Sequence, residues 1–119
     1  MEKPQFDFIK RLDGTSEFED FLNSIPEKDS AKLLATISKT EENGLLVAQR
    51  MAWVKKIEAD FFELRSKVGS NIQRAIYFQK VGNDYLITHG FTKKQQKTPK
   101  SEIQHAKSVR EKYEKGELL

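Results

Sequence analysis

The C-terminal part of the chain holds three runs rich in aromatic and β-branched residues, Phe61–Val68, Ile72–Phe78 and Tyr85–Phe91. Gly69-Ser70-Asn71 and Gly82-Asn83-Asp84 divide them. Both are hairpin-type turns, so the pattern predicts three consecutive antiparallel strands. The N-terminal part has a different period. Phe18, Phe21 and Leu22 share a helical face behind Ser16-Glu17-Phe18-Glu19, the form of a capping box. That helix must end before Pro26. A second helix is predicted from about Pro26 to about Asn43, with Gly44 past its end and Ala31, Leu33, Leu34 and Ile37 on its buried side. Gln5–Lys10 alternates briefly, as a short strand does, and Asp13-Gly14 turns the chain. A last helix starts at Thr98-Pro99, with Thr98 as its cap and a narrow apolar stripe of Ile103, Ala106, Val109 or Arg110, and Tyr113. The predicted order is β-α-α-β-β-β-α. This is one α+β domain over residues 1–119, an antiparallel sheet with helices packed on one side.

Composition narrows the function classes. The chain has 119 residues, 37% hydrophobic and 33% charged, enough for one core under a heavily charged surface. No apolar run approaches the roughly 18 residues of a membrane span, and no basic-then-apolar segment opens the chain. A cytosolic protein without membrane contact is expected. The absence of cysteine excludes disulfides, thiolate zinc sites and cysteine nucleophiles. Only two histidines, His89 and His105, are present, which argues against a transition-metal site, so neither metal nor cofactor is expected. The net charge of +3 is unevenly placed: Met1–Leu64 holds 9 Lys/Arg against 13 Asp/Glu, and Arg65–Leu119 holds 12 against 5. A basic half segregated in this way suits contact with a polyanion.

The strand region contains Glu63-Leu64-Arg65, Arg74-Ala75-Ile76-Tyr77-Phe78, Leu86-Ile87-Thr88-His89-Gly90-Phe91-Thr92-Lys93-Lys94 and Lys97-Thr98-Pro99. In order and spacing these segments resemble the RelE/ParE superfamily of toxins from bacterial toxin–antitoxin pairs, and most sharply its phage-derived HigB-like branch. The resemblance runs from about Ala31 to Tyr113. It implies a RelE-like fold and a metal-independent endoribonuclease that cleaves mRNA on the translating ribosome. It also implies a neutralising helix-turn-helix antitoxin, HigA-like. A second reading keeps the fold and changes the class: a non-catalytic, ParE-like toxin that inhibits a protein target such as gyrase.

Cleavage of RNA through its own 2′-hydroxyl needs a base, stabilisation of the phosphorane, and an acid for the leaving oxygen. Arg65 and Arg74 suit the middle task, because guanidinium offers paired donors to phosphate and keeps its charge. A lysine acting as base needs crowding by like charge; Lys93 or Lys94 beside the arginines would be so placed. His89 is intrinsically the better base, yet strand alternation sets it between Ile87 and Phe91, where a hydrogen-bonded core histidine is the alternative. Lys97, Lys100, Lys107 and Arg110 are candidates for following RNA phosphates, and Tyr77 and Tyr85 for stacking on a base, with core packing as the alternative. Trp53 and Phe61 are assigned to the core. Lys55-Lys56 would extend the basic surface, although Glu58 and Asp60 lie close by.

The register between the first two strands of the meander decides whether the arginines meet. A two-residue Gly69-Ser70 loop sets Arg65 opposite Arg74, a like-charge pair that is unfavourable unless an anion lies between them. A three-residue loop sets Leu64 against Ile76 and Phe62 against Phe78. The hydrophobic pairing favours this second register, which would put the two arginines on opposite faces. Ala75 and Tyr77 make both faces of the middle strand partly apolar, as in a central strand, so both registers stay open.

Overall fold

The computed structural model describes residues 3–93 and 97–119. Its elements are β1 (Gln5–Phe8), α1 (Glu17–Ser24), α2 (Glu27–Asn43), α3 (Leu45–Arg50), β2 (Val54–Glu58), β3 (Phe61–Val68), β4 (Asn71–Val81), β5 (Asp84–Thr92) and α4 (Lys100–Glu114). The α+β class and the long elements follow the sequence pattern. Ser16 accepts the Glu19 amide at 3.4 Å, so the cap that starts α1 is the expected one. Gly44, at φ 89°, closes α2 and donates its amide to the Thr40 carbonyl, a conformation that glycine adopts without a Cβ penalty.

Two elements were not expected, the short α3 and the edge strand β2. Together with β1 the strands form a five-stranded sheet in the order β1-β5-β4-β3-β2. β1 runs parallel to β5 and pairs Gln5–Phe8 with Asp84–Ile87. The other ladders are antiparallel.

The helices were expected on one side of the sheet; they occupy both. On one face Leu64, Ala75, Tyr77 and Ile87 meet Phe18 of α1, Leu33 and Ile37 of α2 and Ala48 of α3. On the other, Phe61, Ile76, Phe78, Leu86 and Phe91 meet Ala106 and Val109 of α4. The cause is β4, whose residues from Gln73 to Phe78 are all buried. A strand that is apolar on both faces must be covered on both. Gly90 marks a tight contact between β5 and α1: a Cβ there would lie 2.3 Å from the Phe21 ring. Among the described residues no helix is long and apolar enough to cross a membrane.

Candidate functional site

The turn after β3 is the two-residue one. Gly69 takes φ 61°, Val68 pairs with Asn71, and Arg65 lies directly opposite Arg74. The register favoured by hydrophobic pairing is therefore not adopted. Leu64 faces Ala75 and Phe62 faces Tyr77, which gives the helical face its stacked Phe62–Tyr77 rings, 5.5 Å apart. Packing across the sheet to the helices, absent from a strand-by-strand pattern, outweighs the pairing within it.

Both arginines thus share the face covered by α4. Arg74 is wholly buried, while the Arg65 side chain keeps 18% of its exposure. Glu63, on the same face and wholly buried, holds them together. Its Oε1 lies 3.5 Å from Arg65 Nε and 3.8 Å from Arg74 Nη1, and its Oε2 accepts the Thr98 hydroxyl at 2.8 Å. Burial lowers the pKa of Arg74, Glu63 works against that, and Arg65 adds to it. A guanidinium nonetheless stays protonated at any physiological pH. Glu63 is not among the residues that the sequence pattern singles out for chemistry; its signal there is a carboxylate inside an apolar strand run, at the same parity as Arg65.

Thr98 was expected to cap α4. It bonds Glu63 instead, and Pro99 precedes the helix without a side-chain cap. The segment before α4 is thereby tied to the arginine cluster.

The cations around this cluster sort by their partners. Lys67 lines a groove of about 210 Å³ with Ala52, Arg65, Ser66 and Ile72, where β3 extends past β2. Lys55, beside Glu63 in the β2–β3 ladder, lines a second groove of about 310 Å³ with Lys56, Ile57, Lys97, Thr98 and Ile103. Lys93 follows the last residue of β5, and its amide bonds the Ile72 carbonyl at 3.0 Å; continued alternation puts it on the Arg74 side. Among the described residues Lys55, Lys67, Lys93, Lys97 and the exposed Lys100 have no ion pair with a carboxylate. Lys107 and Arg110 differ. Lys107 Nζ is 2.8 Å from Glu58 Oε2, and Arg110 reaches Asp60 and Glu114 at 3.9 and 3.8 Å while lying over the Phe61 and Phe78 rings. Their charges are already answered within the fold. Lys94 lies outside the described residues.

A polar device on the helical face sets where β5 ends. Gln73 Nε2 donates to the buried Asp29 of α2 at 2.7 Å, and the Thr92 hydroxyl donates to Gln73 Oε1 at 2.6 Å. This chain pins Thr92, and so positions the exit of the strand at Lys93.

Three candidates are not brought to the arginines. His89 is buried under α4, its Nδ1 2.9 Å from the Thr88 hydroxyl and its Nε2 3.0 Å from Glu102 Oε1. Burial lowers its pKa and the Glu102 hydrogen bond opposes that. It sits two strands from Arg65, roughly 10 Å across the sheet, and its ring nitrogens face Thr88 and Glu102. Tyr77 is enclosed by Phe6, Phe62 and Tyr85, and burial raises its pKa strongly. No ring face remains for a base, so core packing is its role. Tyr85, half-buried on the same face, packs on Phe6 and Tyr77 at the far end of β5. Six residues from Phe91, it is about 20 Å along the strand from the arginine pair.

No curated protein matches the chain. A family model does, the one described as phage-derived protein Gp49-like (DUF891), over residues 20–111. The match spans β2 to β5, α2 and most of α4, and so includes Glu63, Arg65, Arg74 and the segment around Lys93. The chain belongs to the phage-derived Gp49-like family, a family of RelE-like, toxin-like proteins.

Proposed function

We propose that this chain is the toxin of a toxin–antitoxin pair and cleaves mRNA on the translating ribosome. The observation that carries the reading is the Arg65–Arg74 cross-strand pair. Like charges opposed on one sheet face are unfavourable, and here two guanidinium groups converge beside the buried Glu63 with Arg65 part-exposed at the surface. An RNA phosphate is the anion that such a part-exposed guanidinium is suited to hold. Of the lysines without a carboxylate partner among the described residues, Lys67 shares one groove with Arg65, Lys55 and Lys97 line the other beside Thr98, and Lys93 is bonded through its amide to Ile72 of the first.

In this reading Arg65 is the catalytic cation. The 2′-oxygen forms a bond to phosphorus, the bond to the 5′-oxygen breaks, and Arg65 stabilises the charge on the phosphorane between these events. Preorganised cations aimed at developing charge are usually the largest catalytic contribution. Arg74 is a positioning residue, because it is buried and reaches the reaction through Glu63 and Arg65. Lys93, with Lys94, is the candidate for the proton taken from the 2′-hydroxyl and returned to the leaving oxygen. Lys97 and Lys100 follow the RNA backbone. A helix-turn-helix antitoxin is the expected partner, and the acidic helices α1 and α2, on the sheet face opposite α4, are a surface for it.

The test is to induce the chain in translating cells and map mRNA ends. New ends that vanish with Arg65→Ala, in a variant that remains folded, support the reading. Growth arrest with intact transcripts overturns it and favours a protein target.

A further inference from the structure

Composition argues against a metal site, yet the fold brings both histidines of the chain together. His89 of β5 and His105 of α4 lie edge to face, 4.6 Å between ring centroids. Glu17, the first residue of α1, reaches His105 Nε2 with both carboxylate oxygens at 3.0 and 2.7 Å. One ligand atom from each of Glu17, His89 and His105 lies within 4.8 Å of the others, and Glu102 Oε1 is 3.0 Å from His89 Nε2.

The surroundings of His89 suit a ligand role. Its Nδ1 lies 2.9 Å from the Thr88 hydroxyl, which also bonds the Ile76 carbonyl at 3.2 Å, so the ring is held in one orientation. Its Nε2 is the nitrogen on the side of Glu102. A ligand histidine commonly has one ring nitrogen engaged by an oxygen partner that fixes the ring, and the other directed at the metal.

We propose that Glu17, His89 and His105, with Glu102 beside them, form a divalent transition-metal site of the zinc type. Two imidazoles and carboxylate oxygen suit Zn²⁺ rather than Mg²⁺ or Ca²⁺. Tetrahedral ligation at about 2.0–2.2 Å puts donors roughly 3.3–3.5 Å apart. The needed contraction falls on Glu17 and His105, whose side chains are 41% and 44% exposed and free to change rotamer. A cavity of about 220 Å³ bordered by Glu17, Thr88, His105 and Lys112 gives the ion a route from solvent. The site has a structural consequence. β1 leaves β5 after Ile87, and beyond that point an ion would tie α1, which packs on one face of the sheet, to α4 on the other.

The test is calorimetric titration of the chelator-treated full chain with Zn²⁺ alone at pH 7.5, beside thermal unfolding with and without the ion. The wild-type chain is expected to bind one ion at about micromolar Kd or tighter and to unfold at a higher temperature with it. His105→Ala is expected to weaken binding at least tenfold and to remove the thermal shift. Co²⁺ in place of Zn²⁺ is expected to show d–d bands of a nitrogen–oxygen site in the wild type alone. Absence of binding to the wild type overturns the proposal, and so does equal binding by a folded His105→Ala. Should that variant fail to fold, Glu17→Gln is judged by the same criterion.

Discussion

Arg74 offers the sharpest test of the physical account, because it is a wholly buried guanidinium whose charge is answered by an equally buried Glu63 3.8 Å away. Arg74→Met keeps most of the volume and removes the charge. It leaves Glu63 buried beside Arg65 alone, and breaking a buried pair from one side costs about 3–5 kcal/mol. A domain of 119 residues has roughly 6–18 kcal/mol of stability in all, so the loss is a large fraction of the total. At about 2.1 cal/mol/K per residue, its unfolding entropy is about 0.25 kcal/mol/K. The expected fall in Tm is then about 12–20 °C. Glu63→Gln keeps an acceptor for Thr98 but leaves two guanidinium groups facing each other, with a cost of similar size. Combining the changes removes both charges, so the double variant should be less destabilised than the sum by about 1–3 kcal/mol. Urea unfolding followed by circular dichroism, extrapolated to water, measures all four corners of the cycle. Arg74→Met within 1 kcal/mol of the parent, or strict additivity, would refute the claim that this pair is electrostatically coupled. One corollary concerns activity: a variant at Arg74 that loses cleavage proves little, because the fold suffers too. Arg65 is the diagnostic position.

Three further outcomes are expected. Charge removal at Lys67 or Lys97 should weaken RNA binding about equally for all sequences and reduce the salt slope of binding by about 1 each; Lys107→Ala, whose charge is spent on Glu58, should leave the slope unchanged. Gly90→Ala drives a methyl group into the Phe21 ring and should cost about 1–3 kcal/mol in urea unfolding. Burial raises the folded-state pKa of Tyr77 above its unfolded value, so its contribution to stability is complete below about pH 10 and is lost as pH rises beyond it. Phenolate absorbance at 295 nm should show one tyrosine that titrates only with unfolding, and Tyr77→Phe should remove that step.

The helices and turns were legible because their signals are local. A capping box at Ser16–Glu19, a proline at 26 and a glycine at 44 act within a few residues of where they stand, and the same holds for the strand runs and the turns between them. Two short elements escaped. α3 has only 6 residues, and β2, with Lys55 and Lys56 exposed, has too little apolar alternation to declare itself. Basic character in the second half, and Arg65 and Arg74 as candidates, were likewise on the page of the sequence, the latter through the family resemblance.

What the chain's order alone determined, then, is its longer helices and strands, its α+β class and the residue types available for chemistry, since each follows from neighbours a few positions apart. Tertiary structure decided the rest. The β3–β4 register turns on a single residue, and two loops of different length satisfy the local rules equally; the helices packed on both faces choose between them, and only then does Arg65 meet Arg74. Burial separates Tyr77 and His89 from the site, and partners 35 residues away engage Glu63 through Thr98. His89 and His105 meet Glu17 only because α1 and α4 close around the end of β5. Charge, burial and proximity of this kind belong to pairs of residues far apart in the chain, and a pattern read along one strand or helix does not contain them.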